Sequence, residues 1–183
     1  MSLMNLYKVF DVQSHFKKKN GILKQIKNSR GWKEYETKDF KGDYTSFISK
    51  TNWDFDLDLI PWPYFLTRED YFSFEYFLGR EYEIRGKEKK VCGQWYNQYN
   101  PHSGSDHPWH NHAHSNSIAC VYYVELSDES LVTVLKHPET GEEVIPEVKE
   151  GQILTMDANI FHKSPRNFTN TRKTVISFNI TIR

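Results

Sequence analysis

Cysteine is scarce: Cys92 and Cys120 are the only two in 183 residues. Two are too few for a disulfide framework, and both read as small buried residues. Neither sign of charge is in excess, with 24 basic and 24 acidic side chains, so neither the basic stripe of a nucleic-acid binder nor an acidic tail is present. No apolar run approaches membrane-spanning length. The start, Met1-Ser2-Leu3-Met4, has no charged-then-apolar signal pattern, and Met4 is the expected natural start. There is no G-x-S-x-G nucleophile elbow and no phosphate-binding glycine loop, since Gly141 and Gly151 sit in turns. Cys120 lies among Ala and Val with no evident base, which suits a core residue better than a nucleophile. Internal repeats and low-complexity segments are absent. These absences leave a chain with no membrane and no nucleic-acid partner, expected in the cytoplasm.

What the sequence does hold is rings. Aromatic residues make up 15% of the chain, against a total hydrophobic share of 38%, so the core must be built largely from them. The length suits a single domain, 1–183. Residues 1–85 read as an N-terminal helix and loop portion, with a short strand at 6–10 and a helix carrying Ile22, Leu23 and Ile26 on one side. The segment 31–66 reads as loop, broken by Pro61 and Pro63. Its rings Trp53, Trp62, Tyr64 and Phe65 suit either a pocket entrance or core, with core favoured. Thr67 opens the clearest helix, with Asp70 three residues on as in a capping box, and Tyr71, Phe74, Phe77 and Leu78 at helical spacing. Residues 86–183 change texture. The stretches 91–99, 117–126, 131–136, 151–156 and 173–182 are rich in Val, Ile, Tyr and Phe, and turns such as Pro138-Glu139-Thr140-Gly141 bound them. Short strands without intervening helices predict a mainly β fold, an antiparallel sandwich or jelly roll with N-terminal supporting helices.

The chemistry concentrates in one stretch, His107-Pro108-Trp109-His110-Asn111-His112-Ala113-His114. Five of the eight histidines lie between 102 and 114, and neutral imidazole is the commonest protein ligand for a transition metal. In an extended strand, residues two apart share a face, so His110, His112 and His114 all point one way. Parity leaves two pairs open, His110 with His112 or His112 with His114; the first is preferred, with His107 and His114 as outer residues. The second part of the pattern is His162, followed by the turn Asn167-Phe168-Thr169-Asn170 and then Arg172-Lys173-Thr174. A hairpin about Asn167 would set Arg172 opposite His162, with Thr174 on the same face. A guanidinium beside a cation site calls for an anion between them, and its planar fork matches a carboxylate.

This pattern resembles that of the Fe(II)/2-oxoglutarate-dependent dioxygenase superfamily, in particular the oxygenases related to prolyl hydroxylases. The superfamily carries H-x-D/E, a distal His, then Arg or Lys about ten residues later, often as R-x-S. Here His110-x-His112, His162 and Arg172-x-Thr174 stand in those places. Asn97-x-Tyr99 is similar to the N-x-Y that contacts 2-oxoglutarate in one branch, and Gly104 precedes His110 by six residues as the glycine does there. The resemblance covers roughly residues 91–182. It implies a double-stranded β-helix with Fe(II) on His110, His112 and His162. It also implies 2-oxoglutarate as cosubstrate, held by Arg172 and Thr174 and lined by Asn97 and Tyr99, and hydroxylation of a small-molecule or peptide substrate with release of succinate. One departure matters: histidine replaces the usual carboxylate, and an all-imidazole site also admits Zn, Ni or Cu. The alternatives are a cupin-like metal-binding or sensor module without turnover, and a three-histidine Zn enzyme.

Overall fold

The structure, a computed structural model, describes residues 6–28, 46–49, 65–104, 106–112 and 117–183. Two antiparallel sheets lie face to face, with two helices covering the outer side of the larger one. The strands are β1 (Tyr7–Asp11), β2 (Ser46–Ser49), β3 (Lys89–Tyr99), β4 (His107–His110), β5 (Ser117–Glu125), β6 (Val134–Lys136), β7 (Glu143–Val144), β8 (Gln152–Asp157), β9 (His162–Ser164) and β10 (Lys173–Ile182). The helices are α1 (His15–Asn28) and α2 (Arg68–Glu81). The larger sheet has the order β1-β8-β5-β10-β3-β2 and the smaller β4-β9-β6-β7. This is a double-stranded β-helix.

β5 shows why the fold needs both coverings. Its first eight residues are all buried, as expected of a strand packed on both faces. Ile118, Cys120, Tyr122 and Val124 join the core beneath the helices. Ala119, Val121 and Tyr123 join the core between the sheets. β10 repeats the alternation: Ile176, Phe178 and Ile180 face the helices, and Val175 faces the smaller sheet. Cys120 is a buried thiol.

The helical half is stitched into this core by rings. Phe74 of α2 meets Phe10 at 5.1 Å and Phe178 at 6.0 Å between centroids. Phe65 stacks on Tyr122 at 5.7 Å and is buried, so its core role stands. Trp53, Trp62 and Tyr64 lie outside the described residues. Thr67 caps α2, accepting from the Asp70 amide at 3.0 Å. Asp70 departs from the capping-box pattern, because its carboxylate takes the hydroxyls of Thr67 and Ser14 instead of reaching back to the cap amide. It thereby ties α2 to the start of α1.

Two expectations need correction. The segment 31–66 is not loop throughout, since β2 within it pairs with β3. The N-terminal portion is not merely a cover either, since β1 extends the larger sheet along β8. A further adjustment concerns 131–136, where a 3-10 turn at Glu129–Leu131, capped by Asp128, leaves only the last three residues as strand. Among the described residues no helix is long and apolar enough to cross a membrane.

The seam between α1 and the sheet yields a first prediction. His15 is buried, with Nδ1 2.7 Å from the Tyr122 hydroxyl, and Nε2 3.4 Å from Glu150, which Lys19 also holds at 2.7 Å. Gly151 lies against that ring with φ +88°, and a Cβ there would stand 3.0 Å from it. Gly151→Ala is therefore expected to cost about 2 kcal/mol through left-handed backbone strain and crowding. A chemical-denaturation midpoint unchanged from wild type would contradict this.

Candidate metal centre

β4 and β9 bring the distant histidines together. They pair antiparallel with His110 directly opposite His162. His112 lies two residues beyond β4, fixed by its amide donating to the Ala158 carbonyl at 2.8 Å. The ring centroids of His110 and His162 are 4.2 Å apart, those of His112 and His162 5.1 Å, and those of His110 and His112 5.3 Å. One ligand atom from each of the three lies within 4.8 Å of the others. His114, the alternative partner, lies outside the described residues.

The tautomers are prepared by the backbone. Nδ1 of His162 is 2.9 Å from the Ile160 carbonyl and Nδ1 of His110 is 2.9 Å from the Pro108 carbonyl. A carbonyl can only accept, so each Nδ1 donates and each Nε2 keeps its lone pair for a cation, the usual outer support of a metal-binding imidazole. The Asn179 amide approaches Nδ1 of His112 at 3.5 Å, and its Oδ1 is buried without a partner among the described residues. Rotating that amide would bring the orphaned oxygen to the His112 N–H and give the third ring the same tautomer. Burial pushes His162 down to about 3, and the neighbouring imidazoles push it the same way. Burial likewise brings His107 to about 4, with His110 and His112 adding to it. Both are neutral at pH 7, as metal ligation requires.

These histidines open onto a cleft between the sheets with about 420 Å³ of empty space, its mouth included. Asn97, Tyr99, His107, Ser164 and Lys173 line it together with the three. Asn97 and Tyr99 thus lie in the same cleft as the three histidines. Arg172 and Thr174 do not. β9 and β10 belong to different sheets, so no hairpin about Asn167 sets residue 172 against 162. Instead Arg172 grips Glu125 in a bidentate pair, Nε at 2.8 Å and Nη2 at 2.9 Å, and the Thr174 hydroxyl donates to the same carboxylate. A fork already matched to a carboxylate has little left for another.

The cation in the cleft is Lys173, one residue on. It is 1% exposed and donates to the Leu131 carbonyl at 2.6 Å and Ser164 Oγ at 2.9 Å. Among the described residues it has no carboxylate partner, and burial lowers it to about 7. The sequence carries a signal for it. On β10 the alternation sets Ile176, Phe178 and Ile180 under the helices and Lys173, Val175 and Ser177 along the cleft.

No protein-family model matches the sequence, nor does any curated protein. Solved structures do match in shape. AviO1 from Streptomyces viridochromogenes Tue57 aligns with a TM-score of 0.65 at 13% identity, over 96% of this chain and 89% of its own. A prolyl-4-hydroxylase from Pseudomonas putida aligns at 0.58 and 8% identity, over 97% and 92%. The non-heme monooxygenase ThoJ, as a nickel complex, aligns at 0.62 and 12%, over 96% and 73%. What the chain shares with these structures is the fold, a double-stranded β-helix. On this fold, the three imidazoles form a cluster that could hold a metal ion. Their convergent lone pairs fit a divalent first-row cation, whose whole double charge three neutral ligands leave uncompensated. The Lys173 ammonium in the same cleft adds to that positive charge. The buried Oδ1 of Asn97 also has no hydrogen-bond partner among the described residues.

Proposed function

We propose that this chain is an Fe(II)- and 2-oxoglutarate-dependent oxygenase. The observation that carries the reading is a buried, carboxylate-free ammonium, Lys173, in the same cleft as three converging imidazoles. His110, His112 and His162 hold the metal. Lys173 takes the far carboxylate of 2-oxoglutarate, the role that the sequence pattern assigned to Arg172, and Ser164 positions its ammonium. Asn97 and Tyr99 line the cosubstrate, and the sheets on either side exclude water from it. Bound there, iron and 2-oxoglutarate would couple decarboxylation to succinate with hydroxylation of a substrate C–H by O2. The protein's part is to bind, orient and keep dry. The substrate is a small molecule or a peptide.

Succinate formation from 2-oxoglutarate, measured with Fe(II) in air, tests the reading. Wild type is expected to turn over, and Arg172→Ala to stay within about twofold of it, because that side chain serves only a partly exposed ion pair. Loss of turnover in a folded Arg172→Ala protein would return the anchor to residue 172. Activity with Zn under anaerobic conditions would favour a hydrolytic centre. Metal and 2-oxoglutarate binding with no oxygen consumption would favour a sensor.

A further inference from the structure

His107 also lines the cleft, and the metal centre makes no use of it. Its orientation comes from an irregularity in the sheet. β4 and β9 pair His110 with His162 and His107 with Ser164, so three steps along β4 answer two along β9. In a regular strand residues three apart leave on opposite faces and residues two apart on the same one. His107 would then share the side of Trp109, whose ring lies between the ammonium groups of Lys136 and Lys163 at 4.8 and 4.5 Å. The bulge turns it into the cleft instead, stacked on His110 with centroids 4.1 Å apart and planes 17° from parallel. A bulge gives up regular ladder pairing, and re-aiming a side chain beside a functional site is a common use of one.

The ring nitrogens of His107 have no hydrogen-bond partner among the described residues. Directly across the ladder stands Ser164, which holds the Lys173 ammonium. His107 therefore lies between the three-histidine cluster and the buried cation. We infer that His107 is a specificity-determining residue whose ring N–H donates to an oxygen of the far carboxylate of the 2-oxo dicarboxylate, beside Lys173, an inference that rests on the cosubstrate reading above. The cleft then reads the diacid at three points, and the third is supplied by the bulge.

The test separates stacking from donation. Fe(II) is titrated anaerobically into wild type, His107→Phe and His107→Gln by calorimetry, and 2-oxoglutarate is then titrated into each metal-loaded protein. Phe keeps a ring on His110 and loses the donor, whereas Gln restores an N–H. Metal affinity is expected to change little in either variant. Affinity for 2-oxoglutarate is expected to fall about 10- to 100-fold in His107→Phe, the scale of a lost hydrogen bond to a charged group, and to recover in part in His107→Gln. Wild-type 2-oxoglutarate affinity in His107→Phe overturns the inference and leaves the oxygenase reading intact. Loss of the metal itself in His107→Phe overturns it too, by making His107 part of the metal site. Metal uptake without any 2-oxoglutarate binding in the wild type overturns both.

Discussion

Lys173→Met is expected to weaken 2-oxoglutarate binding about 100-fold or more, since removing one partner of a buried charge pair leaves the other carboxylate desolvated and unpaired. Metal affinity should hold, because Lys173 makes no hydrogen bond to the three histidines; its donors go to Leu131 and Ser164. The same variant should carry an opposite signature in the ligand-free protein. Burial lowers the Lys173 ammonium from its ordinary 10.5 to about 7. Between those values the unfolded chain binds the proton more fully than the folded one, so this group's contribution to stability is complete above pH 10.5 and is lost as pH falls through 7. Ligand-free wild type should thus gain stability relative to Lys173→Met as pH rises from 7 to 10, measured as Tm across that range. At pH 6.5 the variant should be no less stable, because methionine fills the space without burying a charge. A Lys173→Met protein that still binds 2-oxoglutarate tightly, or whose Tm difference from wild type is flat with pH, would contradict the assignment.

His162→Leu carries the second large effect. It removes a ligand from a site with three, and the metal affinity is expected to fall about 100-fold or more, read by competition with a chelator of known strength. Leu135, opposite His162 in β6, already lies in the core between the sheets, so an apolar side chain is accommodated there. The ligand-free variant should also resist acid better. Burial takes His162 from 6.5 to about 3. Below pH 6.5 the unfolded chain therefore binds a proton that the folded one refuses, and the stability this neutral ring contributes is lost as pH falls toward 3. Wild type should lose stability over that window more steeply than His162→Leu, with His107 supplying the remaining slope in the same direction. Excess metal should raise the wild-type curve at neutral pH and steepen its fall in acid, since an occupied ring keeps the proton off the folded state alone. Equal acid midpoints for the two proteins would argue against a buried, neutral His162.

Much of this was legible in the residues. The β half declares itself through Val, Ile and Tyr runs between turns, and Thr67 marks the start of α2. The three histidines could be named because metal chemistry restricts the side chains that serve it; a spacing of two left His110 with His112 and His112 with His114 equal, and Gly104 six residues before His110 favoured the first. Arg172 misled for a definable reason. Its placement assumed that a short turn joins neighbouring strands, whereas here the chain crosses from the smaller sheet to the larger between Ser164 and Lys173. A shift of one residue then exchanges the two faces of the whole strand. The bulge in β4 was beyond reach, because nothing local in His107-Pro108-Trp109-His110 states which ladder bond is skipped. β2 was hidden within a polar and aromatic stretch that carries no alternation, and only its pairing with β3 makes it a strand.

Metal and far carboxylate would occupy the two ends of one cleft. Crystals soaked with Fe(II) and 2-oxoglutarate without oxygen, with anomalous scattering recorded at the iron edge, examine both ends at once. The expected result is a single strong peak among His110, His112 and His162, with ligand density running from it to the ammonium of Lys173. Iron bound away from those three rings, or a far carboxylate resting on Arg172, would contradict it.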